Sequence, residues 1–213
     1  MVCAASQSGG RGREGRVWSS APGLGLYVTF AFRLAGAPML PLLSIVSGVA
    51  VADMLSAWSG MEFDLKWPND VLQRGRKVAG ILCENMVSGE RIASLVGIGI
   101  NVNHQPEDLP AELRQRAASL RMLSGTDWPL DEGRERLAAG LAGWLRRLAA
   151  GDTGAVLDRA RALGRSFLGR EIVFRQGGND RRGVYRGLAA DGGLLLETAA
   201  GNEKIFYNGE IID

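Results

Sequence analysis

The stretch KVAGILCENMVSGERIASLVGIGINV, Lys77 to Val102, reads as two apolar strands, Lys77–Asn85 and Arg91–Val102, joined by the hairpin-length loop MVSGE. Two features are out of place in buried strands. Lys77 begins an apolar run, so it is either a strand-end lysine reaching water along its aliphatic stem or a fixed cation with a task. Gly80 lies inside the first strand and Gly97 and Gly99 inside the second, and a strand glycine marks close approach to the backbone. Neighbouring strands with glycines on their faces predict a flat slot.

Outward from this hairpin, Gly25–Leu34 is β-branched and aromatic and reads as a third strand, and VCAA at the start reads as a short buried one. Pro38 and Pro41 open a helix whose apolar face holds Leu43, Val46, Ala50, Val51, Met54, Leu55 and Trp58. FDLKW is a short strand ending at a Pro-Asn-Asp turn. Asp131–Ala149 and Ala155–Leu168 read as helices. After Gly169 short strands recur with Gly/Asn/Asp turns, the rhythm of a small β-barrel of the SH3-like kind. Strands and helices do not alternate strictly, so the expected class is α+β: a mixed or antiparallel sheet with helices in residues 1–166, and the barrel in 167–213.

The chain has 213 residues, enough for one medium domain and a small one, and a net charge of +2, which excludes a polycation. Cys3 and Cys83 match no metal spacing and fit a reduced, cytoplasmic setting. No basic-then-apolar leader opens the chain. The apolar run Leu42–Ala52 is shorter than the ~20 residues of a membrane span, so no membrane partner is expected.

The segment GGRGREGRVW, Gly9–Trp18, interleaves glycine and arginine. It matches G-x-G-x-x-G literally, but no helical period follows and no acidic residue occurs between Glu14 and Asp53, against a dinucleotide site. A solvated loop or an arginine–glycine nucleic-acid segment would have this composition too. Glycines that let backbone N–H groups approach an anion, with arginine forks and an indole beside them, suit a nucleotide phosphate with its base. In KWPND, Lys66 and Trp67 point to opposite faces, so one of them enters a cleft, while Asn69 and Asp70 stand at a turn.

GRGREGRVW, KWPND, KVAGIL and GIGIN together resemble the biotin protein ligases, in that family's order and near its spacing, over nearly the whole chain. The resemblance implies that biotin's carboxylate attacks the α-phosphate of ATP with Mg²⁺ present, giving biotinyl-5'-adenylate. A lysine on the carrier domain of a biotin-dependent carboxylase then takes the biotinyl group. It implies that Gln7, Arg11, Gly12, Arg13 and Lys77 surround biotin, with Lys77, Arg13 and Arg11 catalytic. Gly80, Gly99 and Ile100 would wall the slot. Arg13 and Arg16 would face phosphate, Trp18 the adenylate, and Lys66, Asn69 and Asp70 the nucleotide, with Asp70 an indirect metal contact. Asn101 would read adenine, and the loop would order over ligand.

The family's usual stretch before the loop, with a serine–threonine motif, and the DNA-binding head of some members do not precede Gln7, which lies six residues after Met1. Weak biotin binding and no repressor role are therefore expected. The rivals are a lipoate–protein ligase and a non-catalytic binder of the same shape. A homodimer through a sheet edge is compatible with the fold. His104, the one histidine, is expected to be structural.

Overall fold

The structure, a computed structural model, describes residues 1–34, 40–88, 91–199 and 201–212. Pro38 and the tip of the MVSGE loop fall outside those residues. Strands β1 (Val2–Ala4), β2 (Gly25–Leu34), β3 (Asp64–Lys66), β4 (Asp70–Gln73), β5 (Arg76–Ser88) and β6 (Arg91–Asn101) form a six-stranded sheet in the order β1-β2-β6-β5-β4-β3. Every neighbouring pair is antiparallel. The hairpin of Lys77–Val102 is its centre. β5 runs on through Met86–Ser88, so part of the expected loop is strand. β1 is an exposed edge rather than a buried strand, with Val2 71% accessible.

β4 was not anticipated. It follows KWPND directly and turns into β5 at Arg74-Gly75, both with positive φ, a pairing suited to a two-residue hairpin turn. The ladder between them contains a bulge: Val71 pairs with Ala79 but Leu72 with Lys77, leaving Val78 as the extra residue. Val78 and Ala79 are both fully buried.

Helix α1 (Leu40–Ser59) covers the inner face of the sheet. Its segment Leu42–Ser59 is long and apolar enough to cross a membrane, with a mean hydropathy of 1.5, but 72% of it is buried within the protein. It is apolar all round because it is sandwiched, against the expectation of one apolar face. Ile45, Val46 and Val49 pack into a core that also takes Ile81, Ile98 and Ile100 from the sheet. Helix α2 (Leu120–Ser124), capped by Ser119, was not anticipated. Helices α3 (Leu130–Ala149) and α4 (Thr153–Leu163) close the outer side of α1, and α4 stops at Gly164, short of the expected Leu168. Asp53, the one charge in α1, accepts from Arg159 Nε at 2.8 Å and Nη2 at 2.7 Å and from Trp144 Nε1 at 3.2 Å, pinning all three helices together.

The second sheet overturns the barrel expectation. β7 (Glu171–Gln176), β8 (Asn179–Leu188), β9 (Leu194–Glu197), β10 (Glu203–Phe206) and β11 (Glu210–Ile212) form an open antiparallel sheet in the order β10-β9-β8-β7-β11. Closure requires the two end strands to pair, and β10 and β11 pair only with β9 and β7. These end strands have four and three residues. The space inside is filled from outside the sheet: Trp67 packs on Phe174 at 6.1 Å between ring centroids, and its Nε1 donates to Gly192 O at 3.1 Å. Trp67→Phe should therefore leave the Gly192 carbonyl unpaired and cost ~1–3 kcal/mol, read as a lowered urea midpoint with unchanged m-value.

Candidate active site

Alternation along the sheet sends Leu26, Val28, Ala79, Ile81, Ile98 and Ile100 towards α1, so the residues between them face outwards. Pairing aligns Tyr27 with Gly99, Gly99 with Gly80, Gly80 with Asp70, and Asp70 with Lys66 in one row across five strands. Mid-row there is no side chain at all. Strict alternation from Gly80 would turn Lys77 towards the core. The bulge at Val78 shifts the phase and returns Lys77 to the outer face. Its Nζ then lies 2.6 Å from Asp70 Oδ1.

The loop of Gly9–Trp18 is a tight hairpin over this face. Gly12 N donates to Arg16 O at 2.7 Å and Trp18 N to Gly10 O at 2.9 Å. Glu14 and Gly15 turn its tip with φ of 55° and 76°. Gly10 is buried, and a Cβ there would meet Trp18 O. The Trp18 indole lies on the glycine floor: a methyl group on Gly99 would come within 2.7 Å of its Nε1, and one on Gly80 within 2.9 Å of Cζ3. Lys77 Nζ is 5.5 Å from the ring centroid, within cation–π range. Trp18 Nε1 is buried without a partner among the described residues.

Loop and sheet enclose a cavity of about 690 Å³. Of the residues singled out from sequence, Gln7, Arg11, Gly12, Arg13, Arg16, Trp18, Lys66, Asn69, Asp70, Lys77, Gly80, Gly99 and Asn101 all line it. Ile100 does not. It is fully buried on the α1 side, because its neighbours Gly99 and Asn101 take the outward phase. Trp18 sits on the floor beside Lys77 instead of standing apart as a cover. Asn101 is buried and donates Nδ2 to Ala118 O at 3.1 Å, so part of its amide is already committed. Asn69 is bound likewise, Nδ2 to Ile81 O at 2.7 Å.

Protein acceptors hold the loop cations. Arg11 Nη2 donates to Glu84 Oε2 at 3.1 Å, and Arg16 pairs with Glu210 of β11. Arg13 Nη1 donates to Gly209 O at 2.8 Å and, more weakly, to Asn69 Oδ1 at 3.4 Å. Ser20 Oγ donates to Gln7 Oε1 at 2.8 Å. Sequence reasoning missed Glu84 and Glu210, and also Leu109, Leu113 and Ala117, which give the cavity an apolar end. That segment is fixed behind Lys77 by Lys77 N to Arg116 O at 2.8 Å and Ala118 N to Lys77 O at 2.9 Å. The alternating charges of Arg11 and Glu84 on facing segments were a readable signal; the pairing of β11 with the loop was not.

Among the described residues no three His, Cys, Asp or Glu side chains converge. Asp70, the expected metal contact, is bound by Lys77. These residues do not fit a resident metal.

His104 is fully buried at the cavity's far edge, and burial lowers its pKa from 6.5, with Asp108 opposing the shift. Its folded pKa lies below the unfolded one, so on acidification the unfolded chain takes up the proton first. Stability from this group is full above about pH 6.5 and is lost as pH falls below it, no faster than ~1.4 kcal/mol per pH unit. His104→Gln should flatten that acid limb in pH-dependent urea melts. Gly99→Ala should push Trp18 off the floor, giving a red-shifted tryptophan emission that is absent in the same change made on a Trp18→Phe background.

A family model for the biotin/lipoate A/B protein ligase family matches residues 1–103, and one for the biotin protein ligase C-terminal domain matches residues 167–212. The chain is 33% identical over 219 residues to the biotin–[acetyl-CoA-carboxylase] ligase of Paracoccus denitrificans, covering 98% of this chain and 90% of that one. It is 42% identical over 131 residues to the bifunctional ligase/repressor BirA of Bacillus spizizenii, a match that spans only 39% of that relative's length. The biotin protein ligase of Aquifex aeolicus in complex with biotin and ATP superposes with a TM-score of 0.85 at 31% identity, over 99% of this chain and 86% of that one. By sequence and by architecture, the chain belongs to the biotin protein ligase family.

Proposed function

We propose that this chain uses ATP to join biotin, through biotinyl-5'-adenylate, to a lysine on the carrier domain of a biotin-dependent carboxylase. The observation that carries the proposal is the pairing of a side-chain-free floor with cations at its rim: Gly80 and Gly99 beneath, Lys77, Arg11, Arg13 and Arg16 around. A flat, uncharged ring system can lie on such a floor while its carboxylate meets Lys77. What supports biotin and ATP as the ligands is the likeness to the Aquifex aeolicus ligase bound to both.

The chemistry needs these groups. Biotin carboxylate and ATP are both anions, and charge builds on the α-phosphoryl oxygens as the carboxylate oxygen attacks and pyrophosphate leaves. Cations oriented beforehand neutralise that charge at no cost in reorganisation. In our reading Lys77 holds the carboxylate, exchanging Asp70 for it, and Arg11, Gln7 and Gly12 close the biotin end. Arg13 and Arg16 leave Gly209 O and Glu210 for phosphate. Leu109, Leu113 and Ala117 take the base, beside Asn101, Lys66 and Asn69. The acceptor lysine's amine then attacks the acyl carbon of the anhydride, and AMP departs. Mg²⁺ enters this scheme with ATP as part of the substrate, and no step runs through a protein-held ion. We assign residues 1–166 to catalysis and 167–213 to a smaller unit, a division supported by where the second family model begins.

Pyrophosphate release should require ATP plus biotin and not proceed with lipoate; release with lipoate alone would overturn the reading. Lys77→Ala should slow biotin-dependent release by ~10²–10³-fold, as removal of one preorganised electrostatic group does. Because its partner Asp70 is partly exposed, the thermal midpoint should barely move.

A further inference from the structure

We infer that the buried pair Tyr27–His104 is a positioning element that ties the stem of the arginine loop to the segment behind Lys77. Tyr27 shares the outward row with Gly99 and lines the cavity. Its hydroxyl donates to Ala21 O at 3.0 Å, three residues beyond Trp18. Its oxygen lies 3.2 Å from His104 Nε2. With its proton on Ala21, the hydroxyl accepts Nε2–H, and this network assigns the tautomer. His104 Nδ1 is then the bare nitrogen, and it is buried with no partner. The backbone of His104 carries the link onwards: its carbonyl accepts from Ser119 Oγ at 2.6 Å, and the adjacent Ala118 N–H is bonded to Lys77 O at 2.9 Å. Loop stem and Lys77 strand are thus joined by one chain of bonds under the cavity edge.

A histidine needed only for packing would be replaceable by an apolar residue. Here the imidazole leaves one nitrogen unsatisfied in a dry site, a cost that a leucine of similar bulk would avoid. What the imidazole contributes is the directed bond to Tyr27. Burial raises the Tyr27 pKa to about 12, so the hydroxyl keeps its proton across the working range.

The kinetic arm of this inference rests on the function proposed above; a second arm does not. In Tyr27→Phe/His104→Leu no buried group is left unpaired, because Ala21 is partly exposed and its carbonyl can turn to water. The double variant should regain a near-native thermal midpoint yet lose about tenfold in kcat for biotin-dependent pyrophosphate release, equivalent to ~1.4 kcal/mol, with KM for biotin and ATP little changed. In the absence of ligands, trypsin should cut at Arg11, Arg13 or Arg16 several-fold faster than in Leu141→Ala, a core variant brought to the same thermal midpoint. Native kcat in the double variant, or loop cleavage no faster than in the Leu141→Ala control, would overturn the inference. If the parent protein releases no pyrophosphate, the proposed function falls, and the cleavage comparison alone decides the positioning role.

Discussion

Gly80 and Gly99 face each other across the β5–β6 ladder, and because neither carries a Cβ the outer face of the sheet is bare for the width of two strands. A side chain at either position would occupy the space now taken by the Trp18 indole. The rest of the site is arranged around that bare patch. Tyr27 bounds it on one side, Asp70 and Lys66 on the other, and the loop hairpin crosses above. Lys77 depends on a second backbone device. Without the extra residue at Val78, the lysine would point into the packed layer against α1, where an unpaired ammonium costs several kcal/mol. One bulge therefore decides whether the chain has a cation beside the floor.

The charges around the floor come already paired, and the strength of those pairs matters. Arg11–Glu84 and Arg16–Glu210 have arginine side chains 71% and 57% accessible. Ion pairs this exposed are worth ~0–1 kcal/mol each. They keep the arginines near the cavity but yield easily to a ligand phosphate, whose bidentate bonds with a guanidinium are stronger. The same reasoning separates these pairs from Asp53, which is accepted on both oxygens by Arg159 and Trp144 and holds helices rather than a ligand. Chemically similar contacts thus divide by exposure into exchangeable ones and fixed ones.

The sheet's centre was readable because its signals are local. Lys77–Val102 has β-branched runs with glycines in phase, and Gly25–Leu34 is a strand with the bounds expected. The converging set of Arg11, Arg13, Lys66, Asp70, Lys77 and Gly80 was readable through motif order. Elements whose reason lies elsewhere in the fold were missed. β4 has few residues and follows a Pro-Asn-Asp turn, and only pairing with β5 makes it a strand. Ile100 was taken for a wall because its neighbours are glycines, but parity along β6 sends it inward. The barrel expectation read strand rhythm correctly as a run of short strands. It failed on closure, which depends on what fills the inside.

What fills it explains why the second sheet matters to the first. Trp67 comes from the KWPND turn, yet its ring belongs to the core of the second sheet, against Phe174 and under Gly192. The residues on either side of that ring, Lys66 and Asn69, line the cavity. From the opposite direction β11 presents Gly209 O to Arg13 and Glu210 to Arg16. The second sheet therefore touches the site at both its rigid wall and its loop, once through a buried bond and once through exposed ones. A displacement of that sheet would shift the KWPND wall directly, whereas the loop could re-form its weak contacts. The wall, not the loop, is the stiffer link between the two sheets.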